Sequence, residues 1–180
     1  MLAKVTSAAV VGLDALPITV EVDIAAMGLP SFTIVGLPDK AVEESKERVR
    51  AALRNSGADL PPKRITVTLA PADLPKEGPA YDLPIALGIL MASEQLTPHD
   101  LSDSIFLGEL SLDGGLRRIW GVLPYALLAK EKKIKNFYIP KDNLAEAQVV
   151  DKISTFPVEN LRQLFDHFAT SHLPAVSQKR

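Results

Sequence analysis

The chain has 180 residues, of which 47% are hydrophobic and none is cysteine, and its formal net charge at pH 7 is -2. This length and apolar content suit one domain with a sizeable core, and the lack of cysteine excludes disulfides, thiolate chemistry and cysteine-bound zinc. The slight acidity argues against a protein that coats nucleic acid or a membrane surface, although it allows a local basic strip.

No apolar run reaches the ~18 residues of a membrane span. The first residues lack the charged-then-apolar build of a signal peptide. We therefore expect a soluble, cytoplasmic protein with no membrane partner.

The first segments of the chain predict three strands in quick succession. Residues 3–11 are small or β-branched, and residues 16–24 alternate apolar with polar side chains, as in a half-buried strand. A turn at 28–30 precedes a third short strand at 32–35. Three closely spaced strands predict an antiparallel start to the sheet.

A helix is predicted after Asp39, which suits the N-cap position, with Glu43 and Glu44 in the first turns where the helix dipole favours acids. Gly57 is placed to end the helix. The predicted apolar face consists of Val42, Val49, Ala52 and Leu53. After two prolines, residues 64–69 alternate as a further strand.

That strand leads into the stretch 75–90, a loop with two prolines and a glycine followed by a helix that is apolar nearly all round. A helix with no polar face belongs in the middle of a domain. Its N-terminus exposes unpaired N–H groups, so the loop before it is a natural place for a site. We expect Asp82 to satisfy such N–H groups and Tyr81 to pack against a neighbouring subunit.

The second half predicts alternating strands and helices after a polar connection at 92–103. The predicted strands are 105–112, closed by a turn at 113–115, then 136–140 and 154–158; the predicted helices are 122–132, 143–149 and 159–168. This order predicts an α/β (α+β) fold, a mixed sheet with helices packed on it. Residues 1–172 are predicted to form the domain, and residues 173–180, polar and without periodicity, a linker.

Several blocks together resemble the N-terminal domain of the magnesium-chelatase-like AAA+ family, the ComM/YifB group. The resemblance covers roughly residues 1–165 and is specific because the blocks occur in order. The blocks are 32–39, 43–52, 55–57, 64–73, 76–86, 107–110 and 114–117.

The resemblance implies a fold like domain 2 of ribosomal protein S5, shared with the Lon protease domain. It also implies an AAA+ ATPase module in the same polypeptide, missing from these residues, where ATP and Mg²⁺ would bind; no cofactor is expected in this domain itself. The full-length protein is expected to be a homo-oligomer, a hexamer, that acts as an ATP-driven DNA helicase in branch migration and natural transformation.

Lon-type proteases use a serine nucleophile and a lysine base, and the resemblance locates both positions in this chain. The Lon pattern Lys-Asp-Gly-Pro-Ser-Ala-Gly is similar to the run from Lys76 to Asp82, which carries Ala80 at the nucleophile position. The Lon lysine in Gly-Gly-Leu-Lys is replaced by Arg117. Alanine has no hydroxyl, and a guanidinium stays protonated and cannot act as the base. We therefore expect no catalytic residue in this domain.

Nucleotide binding is also not expected in this chain. Neither G-x-x-x-x-G-K-[ST] nor G-x-G-x-x-G occurs in the sequence. Small-molecule kinases of the same fold use a glycine-rich loop before the equivalent helix, but here that loop has only Gly78, next to the acidic Glu77, which disfavours an anion.

Basic residues are the remaining candidates for a binding surface. The candidate contacts with DNA or with another subunit are Lys46, Arg50, Arg54, Lys76, Arg117 and Arg118. Arg48 belongs to the same basic helix. The alternative is that these cations are solvated helix faces balanced by Glu43, Glu44 and Glu47; the functional interpretation is a strip that follows phosphates.

Aromatic and histidine side chains offer weaker signals. Trp120 and Tyr81 are able to stack on bases, but a lone aromatic residue is more often part of the core. His99, His167 and His172 lack the spacing of metal ligands and are interpreted as surface residues.

The function that follows is a non-catalytic accessory domain of an AAA+ DNA motor, serving assembly and the handling of DNA or partner proteins. The alternative is a stand-alone protein-interaction domain, or the accessory part of a chelatase-type motor with no DNA role.

Overall fold

The computed structural model describes residues 1–97, 100–170 and 175–176. Its first four strands form one mixed sheet in the order β1-β2-β4-β3. These strands are β1 (Leu2–Val11), β2 (Asp14–Ala25), β3 (Ser31–Val35) and β4 (Arg64–Ala70). The alternation predicted for the second strand is confirmed, because Ile18, Val20, Val22 and Ile24 are buried.

The prediction of an antiparallel start is wrong for the third strand. β1 and β2 form an antiparallel hairpin, but β3 lies beside β4 and runs parallel to it. The helical segment between β3 and β4 makes this connection a crossover, which parallel neighbours require. β4 in turn pairs antiparallel with β2 at the middle of the sheet.

The crossover contains two helices, α1 (Lys40–Glu43) and α2 (Ser45–Asn55), where the sequence predicted one. Asp39 caps α1 as predicted, since its carboxylate accepts a hydrogen bond from the Val42 N–H at 2.8 Å. Gly57 follows the end of α2 with φ +85°, which confirms its role as a terminator. The predicted apolar face is buried.

Helix α3 (Asp82–Ala92) confirms the prediction of a central buried helix, because every one of its residues is buried. It packs on β1 and β2. Gly88 marks the point of close approach: a Cβ atom there would lie 2.6 Å from Cγ2 of Val22. A larger residue would push the helix off the sheet.

The second half forms a parallel sheet, β5-β8-β9, and a small antiparallel pair, β6-β7. The strands are β5 (Ser104–Phe106), β6 (Glu109–Leu110), β7 (Leu116–Arg117), β8 (Asn136–Pro140) and β9 (Thr155–Val158). The helices are α4 (Leu123–Glu131), α5 (Leu144–Ala147) and α6 (Leu161–Thr170). The predicted α/β class, a mixed sheet with helices packed on it, is confirmed.

The predicted strand at 105–112 is divided in two. After β5 the chain leaves its sheet, because the Gly108 N–H donates to the carbonyl of Ala80 at 2.9 Å and the Gly108 carbonyl accepts from the Leu83 N–H at 3.0 Å. Gly108 therefore ties β5 and β6 to the start of α3. Ser7 links the two larger sheets, since its hydroxyl donates to the carbonyl of Phe106 at 2.8 Å.

Most of the predicted linker, and with it the domain boundary at residue 172, lies outside the described residues, as do His99 and His172. Val176 is described, and it forms an antiparallel bridge with Thr155.

Candidate functional site

The loop before α3 is held against the segment that precedes α1. The Asp39 N–H donates to the carbonyl of Lys76 at 2.9 Å, and the Lys76 N–H donates to the carbonyl of Leu37 at 3.0 Å. The second carboxylate oxygen of Asp39 accepts from the Gly78 N–H at 3.1 Å. One aspartate therefore caps α1 and anchors the loop.

Asp82, the first residue of α3, is fully buried at the centre of a polar network. Its carboxylate accepts from the Ser45 hydroxyl at 2.5 Å, from Nε and Nη2 of Arg48 at 2.6 and 3.1 Å, and from the Leu110 N–H at 3.0 Å. These donors belong to α2 and β6, so the carboxylate joins three elements. The expectation that Asp82 satisfies N–H groups at the start of its own helix is replaced by this longer-range network.

Burial disfavours the charged forms of both Asp82 and Arg48, and the hydrogen bonds of the network oppose this effect. Burial raises the pKa of Asp82, and its hydrogen bonds with Arg48 and Ser45 oppose that rise. Burial also works against the charged form of Arg48, but the hydrogen bond and the charge of Asp82 prevail and raise the pKa of Arg48. A buried carboxylate with this partner set is a structural ion pair.

The interpretation of Arg48 as one of several cations on a solvated helix face is therefore wrong, because its guanidinium pairs with buried Asp82. Its guanidinium also donates to the carbonyl of Ala41 at 2.7 Å, so it is fully engaged between α1 and α3. The sequence carries no local sign of this pairing, because Asp82 lies 34 residues away.

The two positions predicted to correspond to the Lon-type dyad lie in the loop before α3 and on β7. Ala80 is partly buried against the second apolar core, and its carbonyl accepts the Gly108 N–H. Arg117 is exposed on β7, opposite Glu109 in the β6–β7 pair. A methyl group cannot attack a carbonyl, and a guanidinium cannot remove a proton. The neighbouring hydroxyl of Ser45 is fully buried and donates to Asp82.

The structure differs from the prediction at Lys76. Its side chain is 0% exposed, and its ammonium donates to the carbonyl of Pro71. Burial lowers the pKa of Lys76, while the charge of Asp73 acts in the opposite direction. A lysine enclosed in this way is not available to a phosphate or to another subunit.

The other predicted basic contacts lie in two places. Arg50 and Arg54 are exposed on α2, and Lys46 is partly exposed on the same helix, paired with Glu43 at 2.7 Å. Arg117 and Arg118 are exposed at the end of the β6–β7 pair. Their role as contacts with DNA or another subunit stays a prediction.

The two aromatic candidates have opposite environments. Tyr81 is 2% exposed and belongs to the main core, so its predicted packing against a neighbouring subunit is wrong. Burial raises its pKa. Trp120 is 92% exposed, so the core interpretation is wrong for this residue. The guanidinium carbon of Arg118 lies 5.9 Å from the centre of a Trp120 ring.

His167 is partly buried, which corrects its interpretation as a surface residue: its Nε2 lies 2.9 Å from the hydroxyl of Tyr138. Within residues 1–97, 100–170 and 175–176, no group of three or more His, Cys, Asp or Glu side chains is arranged to hold a metal ion. A search of the same residues finds no helix with the length and apolarity that crossing a membrane requires.

A family model described as subunit ChlI of Mg-chelatase matches residues 20–143, more than half of the chain. Competence protein ComM of Haemophilus influenzae is 49% identical over 160 residues, which is 89% of this chain and 31% of ComM. YifB of Escherichia coli is 48% identical over 150 residues, which is 83% of this chain and 29% of YifB.

Lon protease 2 of Bacillus subtilis is more distantly similar, 29% identical over 136 residues, which is 75% of this chain and 24% of that protease. This similarity accords with the mixed α/β architecture and with a Lon-like fold. The chain spans less than a third of the length of these curated relatives.

The family match begins within β2 and ends at Asn143, so it includes both the Asp82 network and Trp120. The predicted resemblance is thereby confirmed. The chain belongs to the magnesium-chelatase (ChlI) family and is similar over most of its length to ComM and YifB.

Proposed function

We propose that this chain is the non-catalytic N-terminal accessory domain of a magnesium-chelatase-like AAA+ ATPase that acts on DNA in the cytoplasm. The observation that carries the proposal is the 49% identity to a competence protein over 89% of the chain. In this proposal the whole protein is a helicase or branch-migration motor linked to natural transformation. Its ATP and Mg²⁺ bind in a module outside these residues, and it assembles as a homo-hexamer.

The domain itself serves assembly and the handling of DNA or partner proteins. Support comes from residues 75–81 before α3, here called the central loop, and from β7, where a Lon-type enzyme would place its nucleophile and its base. Here Ala80 and Arg117 stand at those positions, and the adjoining carboxylate of Asp82 is committed to Arg48 and Ser45. A loop of this kind fixes the position of α3 and carries no nucleophile.

The pseudo-protease part of the proposal is tested by restoring the dyad. We expect the double variant Ala80→Ser, Arg117→Lys to remain inert towards unstructured peptide and casein substrates. The reason is that catalysis needs a matched oxyanion site and substrate groove as well as the two side chains. Measurable peptidase activity in the native chain, free of contaminating protease, would overturn the non-catalytic assignment.

The DNA-motor part is tested on the longer protein that contains the ATPase module. We expect its ATP hydrolysis to be stimulated by single-stranded or branched DNA. The family description as an Mg-chelatase subunit favours one alternative, an accessory domain of a chelatase-type motor. An ATPase rate that does not respond to any DNA would support that alternative and count against the helicase.

A further inference from the structure

The loop between β7 and α4 presents an exposed tryptophan on a fixed backbone. Trp120 is 92% exposed, an unusual environment for the largest apolar side chain. It follows Arg117 and Arg118, both exposed, and Gly121 comes next with φ +67°. Glycine adopts this backbone conformation readily, whereas other residues are strained there.

The backbone on the N-terminal side of Trp120 is clamped by one amide side chain. Asn143 is buried, and its Oδ1 accepts from the Ile119 N–H at 2.9 Å while its Nδ2 donates to the Ile119 carbonyl at 2.8 Å. Ile119 itself is buried in the second core. The residue before the tryptophan is therefore held by both of its backbone groups.

The backbone on the C-terminal side is held by a carboxylate. The Val122 N–H donates to Oε1 of Glu146, and the Leu123 N–H donates to the same oxygen at 3.0 Å. These are the first N–H groups of α4, so the anion site at this helix N-terminus is already filled by Glu146. A phosphate bound near Trp120 would have to use the arginines instead.

The ring of Trp120 is thus presented outward by a backbone that is fixed on both sides. The Arg118 guanidinium lies near one face of the indole, at 5.9 Å from the ring centre. The high exposure leaves the rest of the ring accessible. An aromatic face beside guanidinium groups is the combination on which unpaired bases stack while the cations neutralise the backbone.

We propose that Trp120, with Arg117 and Arg118, forms a stacking site for single-stranded nucleic acid. A base stacks on the open face of the indole, and the two guanidinium groups meet the flanking phosphates. With a formal net charge of -2, the chain offers no general attraction for nucleic acid, so binding depends on this local cluster. The inference rests on the proposed function for the role of DNA as the partner. The stacking interaction itself is inferred from the geometry of this loop.

The test uses the 180-residue chain, in which Trp120 is the only tryptophan and serves as its own fluorescent reporter. We expect a single-stranded oligothymidylate to quench the emission in a saturable way. A duplex of equal length and heparin, which supplies charge without unpaired bases, should quench it much less. Quenching by heparin equal to that by the oligonucleotide would overturn stacking.

Variants are compared by the anisotropy of a labelled oligonucleotide, which does not depend on the tryptophan. We expect Trp120→Ala to weaken binding by about 5–150-fold, since base stacking on an aromatic ring has that effect. Trp120→Phe should retain part of the affinity. Arg118→Ala should weaken binding and reduce the slope of log affinity against log salt by about 0.7. Arg162→Ala, an exposed arginine on α6 that is not among the predicted contacts, is the matched control and should bind like the native chain.

Unchanged binding in Trp120→Ala would overturn the proposal, as would emission that shifts with protein concentration in the absence of DNA, the sign of a protein contact. Neither result touches the proposed function, which stands or falls with DNA-stimulated ATP hydrolysis by the longer protein. Absence of that stimulation together with tryptophan-dependent binding here would reject the motor and keep the site.

Discussion

The central loop and the Trp120 loop are both held in place by long-range hydrogen bonds, yet they present their side chains in opposite directions. At and around the central loop, the side chains of Asp82, Arg48 and Lys76 point inward and form hydrogen bonds within the domain. At the other loop, the side chains of Asn143 and Glu146 form hydrogen bonds with backbone groups. Because the anchors of the second loop bond the backbone, the side chain of Trp120 stays exposed, as the proposed stacking site requires.

The difference gives a criterion for separating residues that stabilise the fold from residues available for binding when no catalytic residue is present. A polar cluster whose members satisfy one another is most simply explained by stability. Exposure of a single apolar side chain is common, but an indole on a fixed backbone beside a guanidinium is a combination that suits binding. The predictions below separate the two regions by their effects on stability.

The largest effect is expected at the buried ion pair. Arg48→Met leaves the carboxylate of Asp82 buried without its cation, and we expect the free energy of unfolding to fall by about 3–5 kcal/mol. Arg50→Met, an exposed cation on the same helix, should change it by less than about 0.5 kcal/mol. Urea denaturation of both variants makes the measurement. Equal, small losses in the two would mean that the Asp82 network does not hold the loop.

The next effect is expected at the frame of the Trp120 loop. Asn143→Ala leaves the N–H and the carbonyl of Ile119 without their partner, and we expect the free energy of unfolding to fall by about 1–3 kcal/mol. We also expect the fluorescence anisotropy of Trp120 to fall as the loop loosens. Val149→Ala, on the exposed surface after α5, is a control for general truncation. Anisotropy identical to that of the native chain would show that Asn143 does not fix the tryptophan.

A similar or smaller effect is expected where α3 crosses β2. Gly88→Ala places a Cβ atom against Val22, and overpacking of this kind costs about 1–3 kcal/mol. The double variant Gly88→Ala, Val22→Ala should cost less than the sum of the two single changes, because the second change removes the colliding methyl groups. Strict additivity in thermal unfolding would argue against the close approach.

The smallest effect is expected at the tryptophan itself. Trp120→Ala should change the free energy of unfolding by less than about 0.5 kcal/mol, since the side chain is 92% exposed and contributes little to packing. Circular dichroism during urea denaturation provides the measurement. A loss of several kcal/mol would place the indole in the folded core and remove the contrast between the two loops.

Part of the central region was predictable from local pattern. The apolar run from Leu83 to Leu90 predicted a helix buried on all sides, and its burial is complete. Asp39 was predicted as an N-cap and acts as one. These two predictions are confirmed because periodicity and capping are properties of neighbouring residues.

The partners of charged residues were not predictable in this way. Arg48 lies on the same helix as the exposed Arg50 and Arg54, but it pairs with a carboxylate 34 residues away. Lys76 lies in a loop among polar and proline residues, but its ammonium donates to a carbonyl of that loop. The core interpretation of Trp120 is wrong because distant residues set its orientation. Composition makes an isolated aromatic a core candidate, whereas Asn143 and Glu146, more than twenty residues later, hold the backbone that turns it outward.

The sequence by itself determined the α/β class, most element positions and the buried α3, because each follows from residues close together in the chain. Only the tertiary structure decided that β3 pairs parallel with β4, that Asp82 takes Arg48 as its partner and that Trp120 faces solvent. Those outcomes depend on which distant segments of the chain pack together. Burial and pairing stabilise the fold only after these segments are in contact.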